Sequence, residues 1–528
     1  MEVLVALTTT AKPWHRLYPD HVSAELNLLT TTLDAVWRDR VAAGPDRPAL
    51  TYFEQTLTAH EADKLSDALA AELQSRGVTP GDRVGIRLQN IPQFALCMLA
   101  LWKIGGVALV LNPMYQEREL QHILNDAGPV GLIALAEEAE DIRAAAGLAW
   151  AISVQEEELQ LVPNQNRCPE PVTNTPDSPA LLTYTSGTTG PPKGAVGTHR
   201  NLLAVGESNA HWYHVQPGQK ILAVAPLFHI TGAVATTVTA LISQTEYVFV
   251  NRIRADLMLK TIAEHGIHHI LGSITVYNAL LDLPDGGPEH LASLRTVFSG
   301  GAPVPPATVE KFRSRYGHYI HNIYGMTETA SAVIAVPLGA QAPVHEPSGT
   351  LSIGVPLPGM EARVTDLDGR PAAPGEAGEL ELCGPQITSG YLNKPEATEQ
   401  TIVDGWLRTG DVAIMDSEGW IYLVDRKKDQ INVSGYKVWP REVEDILYEH
   451  PAVREAAVVG EPDPYSGERV VAFVSLQQGG TVDPEQLRHY VRGRLAPYKC
   501  PKKVTVIDDL PKTATGKIQR RKLRNQEA

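Results

Sequence analysis

Along the first hundred residues the apolar positions change their period repeatedly. In EADKLSDALAAELQSRG, residues 61 to 77, Leu65, Leu69 and Leu73 recur at helical spacing, and Gly77 supplies a stop. RVGIRL then alternates Val84, Ile86 and Leu88, the period of a strand. FALCMLALW, Phe94 to Trp102, predicts a buried helix, and GVALVLNP predicts a buried strand after it. ILAVAPLFH reads as a strand and loop ending at His229, and LRTVFSGGAPVPP, Leu294 to Pro306, as a strand entering a Gly/Pro loop. Helices alternating with strands predict an α/β fold with largely parallel sheets.

The texture changes near residue 350. GTLSIGVPLPGMEARVTDLDGRPAAPGEAGELELCG is rich in Gly and Pro with short alternating runs, which predicts a small β-subdomain with tight turns. A compact α+β tail follows. Pro440 opens a helix with Val443, Ile446 and Leu447 on one face, VVAFVSL is a strand, and Asp483-Pro484 starts a helix carrying Leu487, Val491 and Leu495. The expectation is a large N-terminal domain over 1–427 and a small C-terminal domain over 428–528.

Composition narrows the function. A net charge of -15 disfavours a polyanion such as nucleic acid as partner. Cys97, Cys168, Cys383 and Cys500 are far apart, with no metal-ligand spacing, which reads as a reducing cytoplasm. The N-terminal stretch lacks a basic n-region, so no signal peptide is read there, and no apolar run is long enough to span a bilayer. His211, His214, His268 and His269 show no zinc pattern and are taken as structural.

One segment stands out chemically. TYTSGTTGPPKGAVGTH, Thr183 to His199, joins small hydroxyl residues and glycines to a single lysine. Such a loop lets backbone N–H groups and hydroxyls converge on phosphate oxygens, and Lys193 adds a point charge. Alone such a composition is usually just a surface loop and supports phosphate binding only weakly. It is not a Walker A loop, because Lys193 follows two prolines and precedes Gly194 instead of Ser or Thr.

The loop resembles the phosphate-loop signature of the adenylate-forming enzymes, the superfamily of acyl-CoA synthetases, adenylation domains and luciferases. Further motifs in order resemble the same family: PLFHITG, SGGAPVPP, YGMTET, GYLNKPEAT, WLRTGD, VDRKKDQINVSGYKVWPREVE and PKTATGKIQR. The resemblance covers most of the chain and is closest in texture to acyl- or aryl-CoA ligases. It implies that a carboxylic acid attacks the α-phosphate of ATP, releasing pyrophosphate, and that a thiol, usually of coenzyme A, then displaces AMP. Two anions must meet in the first step, so the protein's work is positioning and charge neutralisation.

By that resemblance Thr185, Ser186, Gly187, Thr188, Thr189 and Lys193 line the β- and γ-phosphates, Glu328 holds Mg²⁺ and Thr327 contacts the α-phosphate. Tyr324 stacks on adenine beside Gly325, opposite Gly301, Ala302 and Pro303; Asp411 accepts the ribose hydroxyls and Arg426 reaches the ribose and phosphate. Lys517 bridges carboxylate and α-phosphate. His229 gates an acid pocket that includes Ala233, Gly300 and Gly325. Lys428 is the implied hinge of a mobile tail, and Ser434, Gly435 and Tyr436 are implied contacts of the incoming thiol. Out of context, Asp411 reads as a turn or cap, Glu328 as a solvated carboxylate, Tyr324 as core and Lys517 as part of a basic face.

Phe228 is followed by His229, where amino-acid-activating relatives usually carry Asp, which favours an acid without an α-ammonium: medium-chain, branched, cyclic or aryl. Asn432 replaces a lysine found in several relatives, which keeps an amine acceptor, and so an amide ligase, as a second reading. An ATP-binding pseudoenzyme and a luciferase-type oxygenase complete the alternatives.

Overall fold

The computed structural model of the protein describes residues 12–185, 192–250, 254–346, 349–366, 368–426, 429–434, 436–513 and 517–524. Two largely parallel sheets dominate. In the first, strands Trp150–Val154, Gly131–Leu135, Arg83–Arg87, Val107–Val110 and Pro179–Tyr184 lie side by side in parallel, and Gly194–Thr198 closes one edge antiparallel. The second sheet has nine strands. Six of them, from His321–Met326 across to Pro48–Tyr52, run parallel.

Local chemistry explains the helices that cover these sheets. Helix Ala59–Ser75 begins with a capping box in which Thr58 Oγ1 accepts from the Glu61 N–H at 3.2 Å and Glu61 Oε2 accepts from the Thr58 N–H at 2.8 Å. Its stop is Gly77 at φ +90°, as its position at the end of the leucine pattern predicts. Helix Pro92–Lys103 is buried on nearly every side because it packs between strand Pro48–Tyr52 of one sheet and strands Arg83–Arg87 and Val107–Val110 of the other. The alternation in RVGIRL is not one of inside and outside: Val84, Gly85, Ile86 and Arg87 are all buried, since a central parallel strand is covered on both faces.

ILAVAPLFH departs from its expected form. Only Lys220–Leu222 is strand. Beyond it the chain leaves the ladder and bonds to Asn90, whose amide donates to Ala223 O at 2.8 Å and Ala225 O at 3.1 Å and accepts from the Leu227 N–H at 3.0 Å. Asn90 follows strand Arg83–Arg87, so its side chain ties the carboxyl ends of the two sheets together.

The Gly/Pro-rich region forms a separate antiparallel sheet of Glu361–Thr365, Ala377–Cys383, Trp406–Met415, Ile402–Val403 and Ile421–Arg426. The tail builds its own sheet around the hairpin Val453–Asp463 and Gly467–Leu476, with Lys503–Val506 added in parallel. Helix Pro440–Glu449 covers it with Val443 and Leu447. Helix Pro484–Arg492 is capped by Asp483, whose carboxylate accepts from the Glu485 N–H at 3.0 Å; it ends before Leu495, which still packs on the tail core.

The tail touches the rest of the protein through helix Pro440–Glu449, where buried Arg441 donates to Val304 O at 3.4 Å. A crevice of about 610 Å³ opens beside this contact between Asp282, Lys311 and Arg315 on one side and Tyr448 and Arg454 on the other; none of the candidate site residues lines it. Among the described residues no helix is long and apolar enough to cross a membrane.

Candidate active site

Open parallel sheets bind ligands beyond the carboxyl ends of their strands. The candidate residues collect there. Thr185 follows strand Pro179–Tyr184, Gly300 to Pro303 follow Thr296–Ser299, and Thr327 and Glu328 follow His321–Met326. The hairpin that carries the phosphate-type loop is closed at its base: Thr185 N–H donates to Lys193 O at 2.9 Å, and Lys193 N–H donates to Thr185 Oγ1 at 3.3 Å. Ser186, Gly187, Thr188 and Thr189 lie outside the described residues, as do Lys428 and Gly435.

Asp411 is neither a cap nor a turn. It stands within strand Trp406–Met415, 7 % exposed, and one carboxylate oxygen accepts from the Tyr324 hydroxyl at 2.7 Å. This bond joins the β-subdomain to the end of strand His321–Met326. Arg426 is opposite Asp411 in the ladder; its side chain lies outside the described atoms.

Glu328 is 9 % exposed, so it is not a solvated surface carboxylate. Its carbonyl accepts from the Thr388 N–H at 2.9 Å, and its Oε1 accepts from the Tyr391 hydroxyl at 2.5 Å. Burial, then the Glu328 charge, pushes the Tyr391 phenol up, so it stays protonated and donates. The Lys193 ammonium lies 4.8 Å from the centre of the same ring, within cation–π range. Among the described residues no three His, Cys, Asp or Glu side chains group as a metal cage. The single buried Glu328 carboxylate would give a cation such as Mg²⁺ only part of its oxygen shell, the rest coming from water or a ligand.

The backbone after Glu328 is strained. Ala330 has φ +49° and Ser331 φ +123°, values non-glycine residues seldom adopt. Thr329 Oγ1 braces the turn, accepting from the Met326 N–H at 2.9 Å and donating to Ser331 O at 2.5 Å. The neighbouring glycines have packing reasons. A Cβ on Gly325 would lie 1.8 Å from Ser331 O, and one on Gly300 would lie 2.8 Å from Ile323 O. Gly301 takes φ +77°.

His229 is half-buried at the start of the acid-site segment. Its Nδ1 accepts from the Thr231 N–H at 3.3 Å and lies 3.1 Å from the Thr231 hydroxyl. Burial first, then the nearby Lys517 ammonium, lowers its pKa to about 4, so the ring is neutral near pH 7. Lys517 therefore lies close enough to His229 for its charge to be felt. It sits at the end of a small hairpin where Lys517 N–H donates to Thr513 Oγ1 at 3.1 Å and Thr513 N–H donates to Lys517 O at 2.7 Å. Ala233 is fully buried in the π-helical segment Thr231–Thr236 that His229 precedes.

Ser434 and Tyr436 are not brought to this group. Ser434 donates its N–H to Ser466 O at 2.7 Å, and exposed Tyr436 stacks on Tyr498 at 4.8 Å, both within the tail. The residue that sequence reasoning missed is Tyr391. It lies in GYLNKPEAT, where nothing local signals that its ring meets Glu328 and Lys193. The strain at Ala330 and Ser331 is likewise silent in sequence, since neither is a residue type that favours positive φ.

The model of the AMP-binding enzyme family matches residues 37–392, and that of the AMP-binding enzyme C-terminal domain matches 442–517. The chain is 36% identical to a long-chain-fatty-acid–CoA ligase of Bacillus subtilis (strain 168), over 98% of each chain. It is 34% identical to a feruloyl-CoA synthase of Amycolatopsis sp, over 92% of this chain and 97% of that one. ATP-bound MatB from Rhodopseudomonas palustris, 29% identical, superposes with a TM-score of 0.86 over 93% of this chain and 98% of its own. The same protein without ATP superposes less well, at 0.77 over the same shares.

Proposed function

From the premise that this chain belongs to the AMP-binding enzyme family, we propose that its cleft activates a carboxylic acid without an α-ammonium group, aliphatic or aryl, and passes the acyl group to coenzyme A. The chain is an AMP-forming acid–thiol ligase. The observations that support the proposal are the Tyr324–Asp411 and Lys193–Tyr391–Glu328 groups gathered beyond the strand ends, and the charge of tail Lys517 acting on His229.

In this reading Asp411 accepts the ribose hydroxyls, Tyr324 and the Gly301–Pro303 segment enclose adenine, and Lys193 with the hydroxyl-rich loop faces the β- and γ-phosphates. Thr327 contacts the α-phosphate and Arg426 the ribose side. Mg²⁺, held by Glu328, would neutralise charge on the triphosphate. The acid enters past His229, whose neutral ring neither repels nor pairs with a second charge, so a zwitterionic amino acid finds no anionic partner at this position. Lys517 brings its ammonium to the point where carboxylate and α-phosphate meet, lowering their repulsion as the carboxylate oxygen bonds to phosphorus and pyrophosphate leaves. The tail, with its boundary at 427/428 and hinge at Lys428, then turns away to admit the thiol. The thiol's sulfur attacks the acyl carbon and AMP departs.

An acid panel scored for pyrophosphate release, with and without coenzyme A or amines, tests this. Fatty and aryl acids are expected to release pyrophosphate and to yield thioester only with coenzyme A. Pyrophosphate without thioester, but with amide when an amine is added, would move the assignment to an amide ligase. Lys517→Ala is expected to lose about a hundredfold or more in acyl-AMP formation, as for removal of a transition-state charge contact, yet to convert preformed acyl-AMP to thioester near the normal rate. Equal losses in both half-reactions would remove Lys517 from the role.

A further inference from the structure

We propose that Tyr391 is a positioning residue for the triphosphate end of the site, holding the Glu328 carboxylate through its hydroxyl and the Lys193 ammonium through its ring face. This rests on the assignment of that cleft to ATP.

The geometry makes one ring a spacer between opposite charges. Lys193 lies 4.8 Å from the ring centre, and Glu328 Oε1 accepts the hydroxyl at 2.5 Å. A long lysine and a glutamate that meet the same ring would otherwise be free to pair with each other, cancelling the charges a phosphate and its cation need. The phenol gives each a separate partner: the carboxylate takes a charge-assisted hydrogen bond and the ammonium takes the negative ring face. Both side chains thereby lose rotamer freedom before ligand arrives, which is the content of preorganisation.

The segment that carries the ring is anchored by its own backbone and neighbours. Ser389 N–H donates to Val196 O at 3.0 Å, Val196 N–H to Gly390 O at 2.9 Å and Leu392 N–H to Gly194 O at 2.8 Å, so this segment is stitched to the strand that leaves the phosphate-type loop. Tyr391 N–H donates to Thr398 Oγ1 at 2.9 Å. Lys394 pairs with Asp126 at 3.2 Å, and Asp126 also accepts from the Tyr184 hydroxyl at 2.7 Å at the loop's other strand. Gly390, at φ +123°, lets the segment pass so close to Thr398 that a Cβ would sit 2.4 Å from its methyl. The segment is thus tied to both strands at the base of the loop, and its ring reaches Glu328 and Lys193.

The test compares the full-length protein with Tyr391→Phe and Tyr391→Leu by calorimetric titration with MgATP, ATP in EDTA, and AMP. Tyr391→Phe keeps the ring and loses the hydroxyl. It is expected to bind MgATP about tenfold more weakly, to need more magnesium for half-saturation, and to bind AMP as the unaltered protein does. Tyr391→Leu is expected to lose a further fewfold, now for metal-free ATP as well, because the Lys193 contact goes too. A Tyr391→Phe protein with unchanged MgATP affinity and magnesium dependence overturns the proposal. So does one that loses MgATP and AMP equally, since a merely structural role would do that. If Tyr391→Leu does not fold, Tyr391→Phe decides alone. An unaltered protein that binds neither nucleotide overturns the assignment of the cleft to ATP instead.

Discussion

At the scale of single residues, the side chains with the plainest local readings are the ones the fold moves furthest from them. Asp411 after a glycine looks like a turn residue, yet it is buried mid-strand with the Tyr324 hydroxyl 2.7 Å from one oxygen. That bond orients the carboxylate at the end of strand His321–Met326. Asp411→Asn removes an ionised acceptor and is expected to weaken ATP and AMP alike, by roughly ten- to hundredfold, the worth of one charged hydrogen bond. Tyr324→Phe loses only the orienting hydroxyl and is expected to cost less for both nucleotides. Titration with AMP checks the pair; full AMP affinity in Asp411→Asn would take the ribose away from this residue. The reason for Asp411's burial is not in its neighbours along the chain. It lies in Tyr324, on a different sheet.

At the scale of elements, what the sequence reveals and what it hides separate by range. The helical spacing of Leu65, Leu69 and Leu73 and the cap at Asp483 are local, and both elements form where the pattern predicts. Strand order is not local: Pro48–Tyr52 pairs with Glu246–Phe249, far later in the chain, and no nearby residue encodes that choice. The short strand Lys220–Leu222 fails the longer expectation because Asn90, from the other sheet, supplies the hydrogen bonds a ladder would have given. The site divides in the same way. Its residue types are visible as motifs, whereas the Lys193–Tyr391–Glu328 contact joins three separated segments. Gly325 shows how an element can impose a site residue. The hairpin of His321–Met326 and Ser331–Ala335 has a register shift beside it, and Ser331 O would lie 1.8 Å from a Cβ there. Gly325→Ala is expected to destabilise the protein by about 1–3 kcal/mol, as overpacking does. A urea unfolding curve measures this; an unchanged midpoint would mean that the hairpin opens at little cost.

At the scale of the whole molecule, the tail acts on the large domain at two places that matter to the site, one by contact and one by charge. Arg441 donates to Val304 O, next to Pro303 of the proposed adenine wall, and the Lys517 charge helps to lower the pKa of His229. His229 belongs to a wider set with a global consequence. Burial lowers the pKa of His199, His229 and His321 to about 4 and of His269 to about 3. In the unfolded chain each returns to about 6.5, so around pH 5 unfolding takes up a proton at each of the four. Asp445 acts in the opposite sense: burial, opposed by Arg441, raises it to about 7, and unfolding around pH 5 releases its proton. Among these five groups the balance is about three protons taken up, each worth about 1.4 kcal/mol per pH unit. Stability is therefore expected to fall steeply from pH 6.5 towards pH 4.5. Above pH 7 the histidine terms are level, and the ionised Asp445 removes what its proton had contributed. Urea midpoints measured across pH 4.5–8 check the sign. His321→Gln, remote from the proposed nucleotide contacts, is expected to reduce the acid slope by about one proton. A flat profile between pH 6.5 and 4.5 would mean that these rings are protonated inside the fold, and the neutral His229 on which the acid preference rests would go with them.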